Sequence, residues 1–332
     1  MNSKSFVNAL SQNAPNGQPT GVLDESIYND PHIYDPLTLE HAEEGGHDRR
    51  KRHFRRLSEI WRRLRRNKLA MVGLVILAVL ILCAIFADYV APYKANQFDM
   101  GALFAKPSPQ HIFGCDNFGA DIFSRLIYGS RISLRIGFIC VGIALVIGVS
   151  IGALCGFFGG VVDIVFMRLI DIFQAIPDIL LAIAIIAAMG PGLANLMIAV
   201  GIAAIPAYAR IVRASVLSLR EMEFVEAARA TGSNPARIIF KHILPNCLAP
   251  IIVQATLGFA YAILNAAGMS FIGLGLEPPT PEWGAMLSTA RGYIRDYPHM
   301  TLFPGLVIVL TIFALNVVGD GLRDALDPRM KR

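Results

Sequence analysis

Residues 221–246, EMEFVEAARATGSNPARIIFKHILPN, form a polar, helix-forming hairpin between two uncharged stretches. Glu226-Ala227-Ala228 predicts a short helix whose small side chains let another surface approach closely. Gly232 predicts its end, because glycine tolerates the left-handed conformation of a helix C-terminus. Asn234 followed by Pro235 reads as the N-cap and first-turn proline of a second helix. Leu244-Pro245 marks the return to apolar sequence.

Outward from this hairpin the chain is built for lipid. Hydrophobic residues make up 54% and charged residues 17%, with a mean hydropathy of +0.51. A soluble chain carries about 25% charged residues. The uncharged run Leu69–Ala87, as a helix, spans roughly 28 Å and crosses a hydrocarbon core. Further spans are expected over Ile136–Val162 and from Asp163 to about Met189. After Gly190-Pro191-Gly192 a fourth ends near Ala209, and Ile243–Leu276 and Thr301–Gly319 supply the fifth and sixth. The expected fold is an all-α integral membrane protein with six transmembrane helices. Its external loops lie over about 89–130 and 277–300, and its cytoplasmic loop over about 220–246.

Basic residues set the expected orientation. Eleven Lys/Arg residues lie between Arg49 and Lys68 against the single acid Glu59, which places residues 49–68 inside. Six crossings bring Arg220, Arg229, Arg237 and Lys241 of the hairpin to the same side, together with Arg323, Arg329, Lys331 and Arg332. Both termini are therefore expected in the cytoplasm. The net charge of +5 reads as a topology signal rather than a nucleic-acid footprint. Residues 54–68 fit an amphipathic helix with Phe54, Leu57, Ile60, Trp61 and Leu64 on a lipid-facing side. Residues 1–48 contain no apolar core and many acids, so a disordered cytoplasmic tail without a cleavable signal is expected. Four cysteines fall within or beside the spans and Cys115 outside them, so an external disulfide within the chain is not expected. The seven histidines are scattered, with no HExxH or Cys-x-x-Cys unit, so no metal site is expected. The chain has no G-x-x-x-x-G-K-S/T loop to cradle ATP phosphates, so its energy source must be another chain or an ion gradient.

The spacing of Glu226-Ala227-Ala228, Gly232 and His242-Ile243-Leu244-Pro245 resembles the EAA loop of ABC-importer permeases. The resemblance covers roughly residues 54–332. His111-Ile112-Phe113-Gly114-Cys115-Asp116 with Gly119-Ala120-Asp121 and the Ser124–Leu134 run resembles the external segment of dipeptide/oligopeptide/nickel-type permeases. Pro278–Leu287 and Gly319–Pro328 are similar to the same family. Cys115 and Ala120 stand where the family usually carries threonine and arginine. Within the family the chain resembles the dipeptide permease C subunit.

This resemblance implies a type I ABC importer permease fold and a transport role without covalent chemistry. It implies pairing with a homologous second permease, as a heterodimer, and two ATPase subunits that use ATP and Mg. A solute-binding protein on the outer side would deliver substrate, and membrane lipids surround the chain. No cofactor or metal is expected in the chain itself. Short peptides lead as substrate; nickel complexes, glutathione and opines are the alternatives. Glu226, Ala227, Ala228, Gly232, His242, Leu244 and Pro245 would form the ATPase-coupling loop.

Other polar residues carry weaker expectations. Arg168 and Asp171 lie at i, i+3 and can pair; with Asp163 they read equally as a structural set or as gating charges. Arg210 and Arg213 read as inner-surface anchors or as contacts to the coupling loop or ATPase. Asn265 and Asn316 suggest interhelical hydrogen bonds, and Pro177, Pro206 and Pro304 suggest kinks. Trp283 either braces its loop at the headgroups or meets a binding protein. Two rival functions remain open. An ion-coupled secondary transporter would use Asp163, Arg168 and Asp171, and a membrane scaffold would use the basic segment; neither explains the hairpin.

Overall fold

The computed structural model describes residues 58–326. The expected tail over 1–48, Phe54 and Leu57, and the C-terminal Arg329, Lys331 and Arg332 lie outside them. Of these, residues 60–326 belong to one compact unit. The principal helices of the described residues are α1 Lys68–Ile85, α2 Ile122–Phe158, α3 Gly160–Gln174, α4 Asp178–Met189, α5 Leu193–Leu219, α6 Glu223–Ala230, α7 Leu248–Phe271, α8 Trp283–Ala290 and α9 His299–Leu326.

Five of these (α1, α2, α5, α7 and α9) are each long and apolar enough to cross a membrane. The expected third span is not a straight helix. It is the pair α3 and α4, bent by 87°, so the described chain has five continuous spans or six if the bent pair is one. The break has a local cause. Pro177 lacks an N–H to continue the ladder and disfavours the helical conformation of Ile176 before it; Pro177 itself sits at ψ 134° and opens α4. α4 alone is 12 residues, about 18 Å, and falls short of the roughly 30 Å hydrocarbon thickness.

Other boundaries move outward from the apolar runs. α2 begins at Ile122, not near Ile136, so the end of the expected external loop is helix, started by Asp121, whose carboxylate accepts from the Ser124 N–H. α5 runs past Ala209 to Leu219, and α9 past Gly319 to Leu326. α7 begins only at Leu248, because residues 238–246 form a wide π turn and a tight 3₁₀ turn around Pro245. These helices run on past their apolar stretches, and polar ends of helices carry no hydropathy signal.

α2 and α5 form the central seam. Gly148, Gly152 and Gly156 of α2 face α5, and a Cβ built on Gly152 would lie 2.4 Å from the Ala209 carbonyl oxygen. Small residues four apart let the two backbones touch, the usual substitute inside lipid for hydrophobic driving force. α4 and α7 join this seam through Leu181, Ile186, Ala262 and Met269. α9 closes the other side against α1, α7 and α8, with Met300, Ile308 and Leu315 in the core. Ile60 and Leu64 of the expected amphipathic segment pack against Leu322 and Ala325, whereas Trp61 is exposed.

Candidate coupling surface and transmembrane cavity

The hairpin that opens the sequence forms a shelf at one end of the bundle. Val225 and Ala228, three apart on α6, turn inward onto Val212, Val216, Ile238, Ile243 and Cys247. Ala228 of the expected coupling loop is thus buried in its own chain, while Glu226 and Ala227 beside it are exposed. Phe224 (37% exposed) and Phe240 (71%) are large apolar groups left without cover on this shelf. Arg229 lies over the Phe157 ring at 5.4 Å, and Arg220 donates to the Gly156 carbonyl at 3.3 Å, so the shelf is tied to the end of α2.

α6 ends as its glycine indicates. Ser233 N–H donates to Ala228 O (3.1 Å) and Gly232 N–H to Arg229 O (2.9 Å), the paired bonds of a Schellman motif, with Gly232 at φ +74°. A Cβ on Gly232 would meet nothing within 4 Å, so the backbone conformation alone selects glycine. Asn234 then caps the next turn by accepting from Ala236 N–H at 3.1 Å. His242 and Leu244 are half-buried, and Pro245 is exposed in the following 3₁₀ turn.

The charges of α3 are clamped to α5. Asp163 receives two bonds from Arg213, at 2.5 and 2.6 Å, and Asp171 one from Arg210 at 2.6 Å. The expected Arg168–Asp171 pair is the weaker contact, at 4.0 Å with Arg168 largely exposed. Arg210 and Arg213 thus pair with α3 rather than with the hairpin, and fix the amphipathic α3 across the end of α5. A pattern of one-helix i, i+3 spacing could not reveal a partner 39 or 50 residues away.

At the opposite end of the bundle, three separated sequence segments meet on Arg125. This buried guanidinium pairs through Nη1 with Asp116 and donates through Nη2 to Pro279 O at 2.6 Å. Asp116 also accepts from Phe118 and Ala120 N–H groups, at 2.8 and 3.0 Å. Glu282 is buried and caps α8, accepting from Gly284 and Ala285 N–H groups at 2.9 and 2.8 Å. Burial raises its carboxyl above the usual range, an effect that those two bonds oppose. Trp283 is wholly buried, its indole N–H donating to Leu126 O at 3.1 Å. It therefore neither braces headgroups nor meets a partner as expected from sequence; its ring is core. His111, Cys115 and Asp121, separate in sequence, bring ligand atoms within 4.8 Å of one another, a grouping that the absence of an HExxH or Cys-x-x-Cys unit does not reveal.

Between α2, α4, α5 and α7 lies a cavity of about 310 Å³. Its lining is mostly apolar, with Asp178, Tyr208, Gln254 and Asn265 as the main polar groups. Asp178 opens α4 at the 87° break and has no hydrogen-bond or ion-pair partner among the described residues. Asn265 likewise makes no interhelical hydrogen bond, contrary to expectation, and faces the cavity. Asp178 shares this cavity with groups of α2, α5 and α7, a grouping that its place in the sequence does not show.

A bundle of continuous spans, one bent pair and a polar hairpin held at one end defines a multi-pass permease subunit of the ABC-importer type. Residues 148–332 match the family described as binding-protein-dependent transport system inner membrane component, and residues 56–107 match the N-terminal TM domain of oligopeptide transport permease C. The chain belongs to this family of permeases. It is 50% identical over 273 residues to the dipeptide transport system permease protein DppC of Alkalihalophilus pseudofirmus, covering 82% of this chain and 90% of that one. It is 46% identical over 281 residues to the di/tripeptide transport system permease protein DppC of Pseudomonas aeruginosa, covering 83% and 93%. It is 48% identical over 274 residues to the glutathione transport system permease protein GsiD of Escherichia coli, covering 82% and 90%. A solved structure of the MetNI methionine ABC transporter in an inward-facing conformation matches at a TM-score of 0.51 and 21% identity, covering 62% of this chain and 98% of that one. That match shows the shared fold.

Proposed function

We propose that this chain is one of two permeases lining the pathway of an ATP-driven importer of short peptides. A solute-binding protein presents the peptide, and two ATPase subunits using ATP and Mg dock on the shelf around α6. The observation that carries this reading is the shelf itself. Val225 and Ala228 root α6 in the bundle while Glu226, Ala227, Phe224 and Phe240 stay uncovered, as a lever driven by another chain requires. Exposed aromatics beside a carboxylate suit a partner groove with an apolar floor and a basic rim. The basic residues of this end support its placement in the cytoplasm, with both termini, in a bacterial inner membrane. The cavity beside Asp178, with Tyr208, Gln254 and Asn265 in its lining, supplies polar groups that suit a zwitterionic solute. ATP-dependent uptake of a labelled dipeptide into cells carrying the complete transporter tests this reading. Uptake that follows the ion gradient and ignores ATP depletion would instead favour a secondary transporter.

Glutathione is the second reading, favoured by the 48% identity to a glutathione permease over most of the chain. Competition separates the two: excess unlabelled glutathione suppresses dipeptide uptake only if both enter by this route.

A further inference from the structure

The loop that precedes α2 gathers three side chains of metal-binding type from three positions. His111, Cys115 and Asp121 offer an imidazole nitrogen, a thiol sulfur and a carboxylate oxygen, all within 4.8 Å of one another. His111 Nδ1 and Asp121 Oδ1 are 3.0 Å apart. Tetrahedral coordination with bonds of about 2.0–2.3 Å places ligand atoms roughly 3.3–3.8 Å apart, so an ion needs only small side-chain adjustments.

We propose that His111, Cys115 and Asp121 bind one divalent cation of the zinc class, which staples the loop to the start of α2. Nitrogen, sulfur and oxygen donors together select a borderline ion such as Zn²⁺ over Mg²⁺ or Ca²⁺, which take oxygen alone. Each ligand is already held. Cys115 and Asp121 face each other across a short antiparallel bridge, with Cys115 N–H on Ala105 O at 2.8 Å and Ile122 N–H on Gly114 O at 3.0 Å. The second oxygen of Asp121 accepts from Ser124 N–H and Oγ, both at 2.8 Å, leaving its first oxygen to face the histidine. His111 stacks on Tyr93 with ring centres 4.9 Å apart, and its backbone N–H donates to Ser108 Oγ at 3.1 Å, which fixes the turn that carries it. The Ser124 bonds to Asp121 are outer bonds of the kind that orient ligands in metal sites.

Charge also balances. On binding, the Cys115 S–H bond breaks, the proton leaves to solvent and a sulfur–metal bond forms. A thiolate and a carboxylate then neutralise the ion, so the positive end of α2 does not oppose it. The nearby Asp116 is taken by Arg125. Cys115 and Asp121 are fully buried and His111 is partly exposed, so a fourth, solvent ligand reaches the ion past the imidazole.

The test is metal analysis of the full-length protein, purified in mild detergent with its copurifying chains through a tag that contains no histidine. About one zinc per chain, retained through dialysis and lost in both Cys115→Ser and His111→Gln, is the expected result. Cobalt(II) added to the stripped protein should give a near-ultraviolet sulfur-to-cobalt band that is missing in Cys115→Ser. Another divalent metal with the same stoichiometry and residue dependence supports the site with a different occupant. Wild-type protein with no stoichiometric metal and no cobalt band, or metal content unchanged in both variants, overturns the proposal. Cys115→Thr provides the folding control, since it should keep the loop and its partners while losing the metal.

Discussion

Gly232 and Arg125 show how single residues set the two ends of this permease. Gly232 holds φ +74° with open space around it, so the cost of another residue is conformational. Gly232→Val should cost about 1–2 kcal/mol at this turn and abolish uptake, whereas Gly232→Asn, which enters the left-handed region more easily, should keep most of it. Uptake by the two variants at equal membrane abundance checks this. Arg125 is buried against Asp116 and the Pro279 carbonyl. Arg125→Ala leaves a carboxylate buried without its cation, and should lower stability by about 3–5 kcal/mol, seen as loss of a monodisperse species on heating in detergent. The glycine was legible because a helix end writes itself into a few adjacent residues. The arginine was not, since its partners come from segments 9 and 154 residues away.

At the scale of elements, spans were legible and their joints were not. Apolar runs such as Leu69–Ala87 locate α1 within two residues, because lipid demands an uninterrupted hydrophobic surface. The same criterion merged α3 and α4, whose sequences are both apolar enough, and missed the 87° break at Pro177 that was expected only as a kink. α3 lies across the end of α5 through Asp163–Arg213 and Asp171–Arg210. Arg213→Asp should therefore weaken transport strongly, and the exchange Asp163→Arg with Arg213→Asp should recover part of it; no recovery would mean the pair is not what positions α3. The α2–α5 seam was written in the sequence as Gly148, Gly152 and Gly156, a spacing that gains meaning only once the facing helix is known. Gly152→Leu has no room against the Ala209 carbonyl and should separate the helices, read as loss of assembled transporter from the membrane while Gly142→Leu, at an open position, is tolerated.

At the scale of the molecule, one end presents a rooted but uncovered shelf, and the other a loop cluster packed on Arg125, Glu282 and Trp283. A subunit with a passive pathway would need no such shelf. The hairpin was legible as a separate element because its polar, helix-forming sequence stands between apolar spans. Which of its residues face outward was not, since Ala228 turns inward where Ala227 turns out. The most direct measurement is affinity purification of the tagged chain and of its Glu226→Lys variant from mild-detergent membranes, with copurifying proteins identified by mass spectrometry. The expected result is recovery of a second permease with both, and of Walker-motif ATPases with the wild type only. ATPase recovered equally by the variant, with normal uptake, would contradict the coupling role of α6, and recovery of the chain alone in every detergent would contradict the importer itself.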